Sequence, residues 1–513
     1  MTQKRDNWCL FALWLAATAY NLTKPYHMDD AAHLLIAQWI AVHPLHPMRG
    51  LLNWTGTPEP IAATNQPHLY FYALAGWGRL FGFSEIAMHT LQSCFTGAAI
   101  WLMYRLAKRV APDHAMFLTA LLALNPAFFD EQNLMVDVPL LSLWLAFFVT
   151  LLETRFALAG LACAAAILTK YSSLCLLPLL ALAPLLARRP AALLNLLTPL
   201  AAIAAWSAFN WWDYGGIHIL ADVPRSGSSQ EMPMHFFSLH RLTLRACAWA
   251  LTAGALCPFG ISALIQRRLI AEHAYPICAA GFLLLVTGVA CHLIPDQTSD
   301  ALLFIGFAIN GAALLLLLRL PGDTGGRLLW LWIILTTGFY IAFAPFIAAR
   351  HFLLILPPLT LLAARTLQPT RPARIFALGL SALLSLGLGL SDYRTAAFFQ
   401  QQAAAIPASM PGVPLIAAGH WGWQYYATRQ GMREIDVLNP PPAGSILAVP
   451  IEGDSNLPPG LRLQRRETIT ANLAGLGPFC AGRPDRLYVS GVFTGPWSLS
   501  ARCAQHIGIF LVQ

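Results

Sequence analysis

Long apolar runs separated by short polar connections dominate the chain from residue 8 to residue 391. They fall at 8–22, 86–104, 115–126, 138–153, 156–169, 172–187, 191–209, 243–264, 272–293, 301–318, 328–347, 351–364 and 375–391. A helix needs about 20 apolar residues to cross a bilayer, so several runs are short, and neighbours such as 156–169 and 172–187 can merge differently. The pattern predicts a polytopic α-helical membrane protein, with about 13 transmembrane helices in a domain over residues 1–393.

Two stretches break this rhythm. The connection 23–85 is too long and too patterned to be a simple loop. Asp29 to Val42 reads as an amphipathic helix with Ala32, Leu35, Ile36 and Trp39 on one face, ending before Pro44 and Pro47. A polar turn at Thr55–Pro60 leads to Asn65-Gln66-Pro67-His68-Leu69-Tyr70-Phe71-Tyr72 and a second, aromatic-rich helix toward Phe83. Aromatic density of this kind marks a membrane interface. The tail 394–513 opens with a helix over Phe398–Ala405 and continues with short apolar runs at Pro414–Ala418, Ile446–Pro450, Leu487–Phe493 and Ile507–Val512. Pro and Gly turns separate these runs and a helix near 421–430 joins them, which predicts a small C-terminal α/β domain. The polar segment 210–240, with Arg225-Ser226-Gly227-Ser228-Ser229 at its middle, reads as a lid or a long connector.

Composition agrees with a membrane protein: 57% of the 513 residues are hydrophobic and 11% charged, against about 25% charged in soluble domains. The net charge of +8 is spread in small clusters between apolar runs. It forms no single basic patch, so no nucleic-acid partner is expected. Those clusters orient the chain. With the N-terminus inside, the even-numbered connections hold Arg105, Lys108, Arg109, Arg155, Arg188, Arg189, Arg267, Arg268, Arg319, Arg327, Arg365, Arg371 and Arg374. The opposite connections carry Asp29, Asp30, Glu59, Asp130, Glu131, Asp137, Asp213, Asp222, Asp296 and Asp300. The expected location is a bacterial inner (plasma) membrane, with the acidic loops and the tail on the outer, periplasmic side. Lys4-Arg5 before the first run reads as the inside flank of an uncleaved helix, not as a signal peptide. Of ten cysteines, Cys480 and Cys503 alone lie in the tail and are expected to pair in that oxidising compartment.

Charge beside a membrane segment is expensive, about 2.5–3.5 kcal/mol for Asp at mid-bilayer, so the adjacent Asp29 and Asp30 face water, a partner or a substrate. Two carboxylates close in space raise one another's pKa, which poises one as a base. Asp137 stands before Pro139 at the mouth of the fourth run, either facing the same cavity or capping its helix. Lys170 and Arg350 end apolar segments on the acidic side and suit a phosphate, Arg in two-pronged fashion and Lys as a point charge; snorkelling at a membrane edge is the bland alternative. His27, His33 and His68 lack diagnostic metal spacing, so no metal ligand set is assigned and a divalent ion stays open as a cofactor. No nucleotide-binding glycine motif occurs.

Taken in order, these pieces resemble the membrane glycosyltransferases of the GT-C fold that use polyprenyl-phosphate sugars, in particular the protein O-mannosyltransferase and lipid A aminoarabinose transferase group. The matching pieces are Asp29-Asp30, Asn65-Gln66-Pro67-His68-Leu69 with Tyr70 and Tyr72, Val136-Asp137-Val138-Pro139, Leu168-Thr169-Lys170-Tyr171, Arg350-His351-Phe352 with Pro357-Pro358, and Gly419-His420-Trp421-Gly422-Trp423-Gln424-Tyr425-Tyr426. The resemblance implies an inverting glycosyltransferase moving a sugar from a polyprenyl-phosphate donor to a glycan, lipid or protein acceptor. It implies Asp29, Asp30 and Asp137 as catalytic carboxylates, Lys170 and Arg350 at the donor phosphate, and His33, Gln66, His68 and Tyr70 in the substrate cavity. This chain departs from the group's pattern with Asp-Asp for Asp-Glu, His33 for a Tyr, His68 for the second proline, and Gln66 for a lysine, so one phosphate contact of relatives does not carry over. The competing class is a multi-span transporter or flippase, which favours inverted repeats and mid-membrane charges over acids gathered in one outer loop.

Overall fold

The computed structural model describes residues 2–53, 56–64, 66–220, 237–262, 267–290, 298–316, 318–344, 346–451, 457–472, 475–477, 488, 496–500 and 504–513. The expected lid at Arg225–Ser229, the strand Leu487–Phe493 apart from Tyr488, and the pairing of Cys480 with Cys503 lie outside the described residues.

Helix α1 (Thr2–Thr18) packs on α4 (Glu85–Val110), and between them in sequence lie α2 (Asp30–Val42) and α3 (Leu69–Phe81), which pack on each other. The body continues through α5 (Ala115–Ala123), α6 (Asp137–Leu152), α7 (Phe156–Ile167), α8 (Leu176–Leu186) and α9 (Leu197–Tyr214). It is completed by α10 (Leu239–Leu256), α11 (Arg267–Ala290), α12 (Thr298–Leu316), α13 (Thr324–Phe343), the short α14 (Ala349–Leu353), α15 (Leu356–Leu367) and the 39-residue α16 (Arg371–Ser409). Helix α6 lies between α4 and α7, α9 covers α7, and α10 packs on α12. The core is aromatic where α6 meets α13: Phe148 stacks on Trp332 with centroids 3.9 Å apart. Helices α10 and α12 approach so closely that a Cβ on Gly254 would lie 1.9 Å from the Phe307 carbonyl oxygen, and one on Gly311 would lie 2.3 Å from that of Ala250. Small residues permit such crossings between apolar helices.

Many large apolar side chains point outward, among them Leu161, Leu200, Trp211, Leu283, Leu302 and Leu386. That outer surface suits lipid and would be a liability in water. The segment containing α9 (Pro190–Tyr214), together with α13 and α16, is long and apolar enough to cross a membrane. The thirteen-span expectation is not met helix for helix among the described residues. Run 115–126 becomes the nine-residue α5 and a single turn at Pro126–Phe129, and run 351–364 is interrupted between Leu353 and Leu356, where Pro357 and Pro358 start a new helix. Nine helical residues rise about 13 Å, far short of a bilayer core.

The expected boundary at residues 393 and 394 falls inside α16, which runs without a break into the tail and absorbs the helix expected at Phe398–Ala405. Beyond it the tail holds one further helix and a mixed sheet. Helix α17 (Trp421–Arg429) packs on α16 and α2. The short pair β1 (Leu51–Asn53) and β2 (Pro58–Pro60) belongs to the first loop. Strands β3 (Leu415–Ala417), β4 (Arg433–Glu434), β5 (Ile446–Pro450), β6 (Leu463–Asn472) and, after a small pair β7 (Gly475–Gly477) and β8 (Ser498–Ser500), β9 (Ala504–Val512) follow. The main sheet has the order β4-β3-β5-β9-β6, with β3 parallel to β4 and β5, and β9 antiparallel to β5 and β6.

The two ends of the bundle differ chemically. At one end Arg105 and Arg155 pair with Glu153, and Arg365 pairs with Asp323. The other end holds Asp29, Asp137, Lys170 and Arg350.

Candidate active site

Helix α2 begins after a turn in which Met28 takes a positive φ of 48°. Asp29 occupies the cap position, yet its side chain makes no cap bond; its Oδ2 accepts from Arg350 Nη1 at 3.0 Å. Asp30 turns the opposite way and is fully buried. Its two oxygens accept the His27 amide at 2.8 Å and the Leu134 amide at 2.6 Å. Burial pushes the Asp30 carboxyl up to about 7, against the pull of those amides and of Lys24. Adjacent in sequence, the two acids therefore have different work: Asp29 reaches the cation and Asp30 fixes the loop. Helix α2 is buried more widely than an interfacial helix, through Ala31, Leu34, Ala37 and Ile40, while Leu35 of the expected face is exposed.

The loop that Asp30 grips, Asp130–Met135, organises the site. Asp130 accepts from Tyr20, Gln132 bonds Thr96 and the Ala17 carbonyl, and Asn133 joins Lys24 and Tyr488. Leu134 receives His33 Nδ1 on its carbonyl at 2.6 Å, and Met135 Sδ lies 3.4 Å from Arg350 Nη1. Glu131 is fully buried with neither carboxylate oxygen bonded, and burial holds its carboxyl well above the usual range. Behind the loop, buried Lys24 pairs with Asp392 of α16, which also meets His27 Nε2 at 3.3 Å and accepts from the Tyr488 hydroxyl at 2.9 Å. The apolar pattern marks Asp130 and Glu131 only as outer-loop acids and gives Lys24, Asn133 and Asp392 no role. A lysine just past an apolar run, five residues before the acidic pair, is the one signal the sequence offers.

Lys170 follows α7 in an extended conformation, and the preceding Leu168 carbonyl accepts the Leu69 amide at 3.1 Å, which ties the start of α3 to the end of α7. Its Nζ reaches Asp137 Oδ1 at 2.8 Å. Asp137 is the first residue of α6, Val136 holds the cap position, and no side-chain cap bond forms; the capping alternative is not realised. Nor do the cations snorkel outward. Exposure is 22% for Asp29, 13% for Arg350, 17% for Lys170 and 3% for Asp137, so both pairs are largely shielded yet not cut off from solvent. Asp137 and Glu131 add to the negative field that keeps Arg350 charged despite its burial.

The four residues expected to line a substrate cavity divide into two kinds. His33 packs on Phe71 at 4.9 Å and, with Nδ1 protonated, donates to Leu134; the Tyr70 hydroxyl donates to Gln92 Oε1 at 2.8 Å. Tyr70 spends its hydroxyl inside the protein, whereas His33 commits only Nδ1 there. His68 is fully buried among Phe71, Trp206 and His218 with neither ring nitrogen bonded, and burial pushes it down to about 3; half-buried Gln66 likewise keeps an unbonded Oε1. These two have polar atoms left for a ligand. Among the described residues no group of three or more His, Cys, Asp or Glu is placed to hold a metal ion. The site carboxylates are engaged by Arg350, Lys170 and two amides, a poor fit to a cation.

Two carboxylates paired with two cations, near enough that Asp137 acts on Arg350, can accept a proton and hold an anion. Residues 65–212, which include Gln66, His68, Tyr70, Asp137 and Lys170, match the model of the dolichyl-phosphate-mannose-protein mannosyltransferase family. The resemblance expected from those motifs is met over that segment. No curated protein matches the chain. Similar solved structures include ArnT from Cupriavidus metallidurans bound to undecaprenyl phosphate, at 12% identity and TM-score 0.40, covering 98% of this chain and 97% of that one. Another is the archaeal oligosaccharyltransferase AglB from Archaeoglobus fulgidus in complex with an inhibitory peptide and a dolichol-phosphate, at 13% identity and TM-score 0.39, covering 85% of this chain and 64% of that one.

Proposed function

We propose that this chain is an integral-membrane glycosyltransferase that moves a sugar from a polyprenyl-phosphate donor to an acceptor hydroxyl, with inversion, on the extracytoplasmic face. The observation that carries this reading is the pair of ion pairs Asp29–Arg350 and Asp137–Lys170 at one end of the bundle. Within the segment that matches the mannosyltransferase family model, Asp137 and Lys170 supply one whole pair. The donor's phosphate competes with the carboxylates for Arg350 and Lys170. Arginine and lysine lose little when one oxyanion replaces another. The carboxylates, in contrast, lose their counter-charges and become stronger bases.

Asp29 then takes the acceptor's hydroxyl proton as the acceptor oxygen bonds to the anomeric carbon. The bond from that carbon to the phosphate oxygen breaks, its electron pair stays on the phosphate, and Arg350 and Lys170 stabilise the charge that develops there. One displacement inverts the anomeric centre. Asp30 keeps Asp29 in register by holding the Asp130–Met135 loop, and it is a positioning residue in this scheme. His68 and Gln66 offer their unbonded polar atoms to the donor sugar. The acceptor is a glycan, a lipid or a protein. Purified protein incubated with radiolabelled polyprenyl-phosphate sugars and membrane extract should move label into a non-donor fraction. Movement of intact donor across a vesicle bilayer without label transfer would favour a flippase.

A further inference from the structure

The opposite end of the bundle carries a cavity that the transfer reaction does not use. Asp137 and Leu152 are the two ends of α6, so about 22 Å of helix separates the ion pairs from this cavity. Its volume is about 480 Å³. One wall is apolar, from Leu151 and Leu152 of α6, Phe156 of α7, Leu186 of α8 and Leu328 of α13, and Thr154 and Thr324 add polar groups beside it. The mouth is basic, with Arg109 at the end of α4 and Arg365 at the end of α15, and a second hollow that shares Arg365 adds Arg319. Asp323 pairs with Arg365 at 2.6 Å while its other oxygen caps α13 through the Gly326 amide. Among the described residues Arg109 makes no ion pair. Arg109 and Arg365 therefore bring one more positive charge to this cavity than Asp323 balances.

A hollow with apolar side chains on one wall, opening beside Arg109 and Arg365 where a helix bundle leaves the membrane, matches a lipid whose head group is an anion. A free phosphate would use the arginines and leave the apolar wall unfilled. A zwitterionic lipid would bring its own cation to a mouth that already has a surplus. We propose that this cavity binds an anionic glycerophospholipid, its phosphate against Arg109 and Arg365 and one acyl chain along Leu151, Phe156 and Leu186. A bound lipid would fill the gap between α6, α8 and α13 and neutralise the arginines that otherwise repel one another.

Native mass spectrometry of the detergent-purified chain tests this with phosphatidylglycerol and phosphatidylcholine of matched acyl chains. Phosphatidylglycerol should bind tighter by roughly tenfold, as expected for two basic side chains close to a lipid head group, one of them already shared with Asp323. Arg109→Gln should remove most of that preference, and Arg109→Gln/Arg365→Gln should remove all of it. Arg327→Gln, at an exposed arginine of the same end that does not line the cavity, should leave it unchanged. Because Arg365 also steadies Asp323, the Arg109→Gln variant, whose side chain makes no ion pair to lose, is the decisive one. Equal retention of the two lipids, displacement of phosphatidylglycerol by inorganic phosphate, or equal loss on Arg327→Gln would overturn the proposal.

Discussion

Lys170→Met is the perturbation that best separates a phosphate-binding role from a structural one. In the structure it removes the bonded partner of Asp137, whose side chain is 3% exposed, and leaves a carboxylate beneath the surface with only the more distant charge of Arg350 to balance it. Breaking a buried pair from one side costs about 3–5 kcal/mol; the 17% exposure of Lys170 allows some water in, so about 3 kcal/mol is expected here. Lys170→Met/Asp137→Asn removes both charges and should recover most of that loss, because no ion is then stranded. Donor binding should behave differently. A charge-assisted contact to phosphate is worth about 1.5–3 kcal/mol, which is roughly 10- to 150-fold in Kd, and the double variant restores no cation. Thermal unfolding in nanodiscs reads the first quantity and equilibrium binding of radiolabelled undecaprenyl phosphate reads the second. Recovery of both stability and lipid-phosphate binding in the double variant would refute the assignment of Lys170 to the donor.

Arg350→Ala should weaken the same binding by a similar factor, and Arg350→Lys should recover part of it, since a point charge keeps the attraction and loses the two-pronged geometry. Asp30→Ala strands the His27 and Leu134 amides and should lower stability by about 1–3 kcal/mol per unsatisfied group, seen as a lower unfolding temperature with Kd for undecaprenyl phosphate less affected than in Lys170→Met. Buried His68 has its pKa pushed down to about 3, so the folded form resists a proton that the unfolded chain takes up near pH 6.5. Its contribution is present above pH 6.5 and is lost as pH falls toward 3, by roughly 1.4 kcal/mol per pH unit. His68→Gln should flatten the fall in unfolding temperature between pH 6.5 and pH 4.5; an unchanged slope would show that other groups set it.

Much of the site is legible in the sequence because its residues stand beside breaks in the apolar pattern. Asp29, Asp137 and Lys170 each adjoin the end of an apolar run or the start of a helix, and charge at such places stands out against its apolar neighbours. Arg350 is legible as a cation, but its partner Asp29 lies 321 residues away, and no local spacing encodes that pairing. The Asp130–Met135 loop is opaque for the same reason. Its role rests on bonds to Thr96, Lys24, Asp30 and Tyr488, all distant in sequence, so Glu131 and Asn133 look like any polar residues between two spans. The sheet is half legible. β5 and β9 show as apolar runs, whereas β6, Leu-Gln-Arg-Arg-Glu-Thr-Ile-Thr-Ala-Asn, lies at the sheet edge, where polar side chains meet water and no apolar run forms. The hydrophobic pattern cuts helix α16 at residue 393 because Ser391-Asp392 ends an apolar run, yet buried Lys24 satisfies Asp392 and the helix continues.

If Asp29 is the base for transfer from a lipid-linked sugar, a single-turnover reaction will show it. Purified parent and Asp29→Asn, each loaded with a radiolabelled polyprenyl-phosphate sugar that the parent turns over, are mixed with membrane acceptor, and labelled product and released polyprenyl phosphate are followed together. The asparagine keeps the size of the side chain but cannot take the proton. The parent should release equal amounts of product and lipid phosphate, and Asp29→Asn should react at a rate about 10² to 10⁴ lower with donor still bound. A near-parental rate in Asp29→Asn, with transfer abolished instead by Asp30→Asn or Asp137→Asn, would contradict a role for Asp29 as the base.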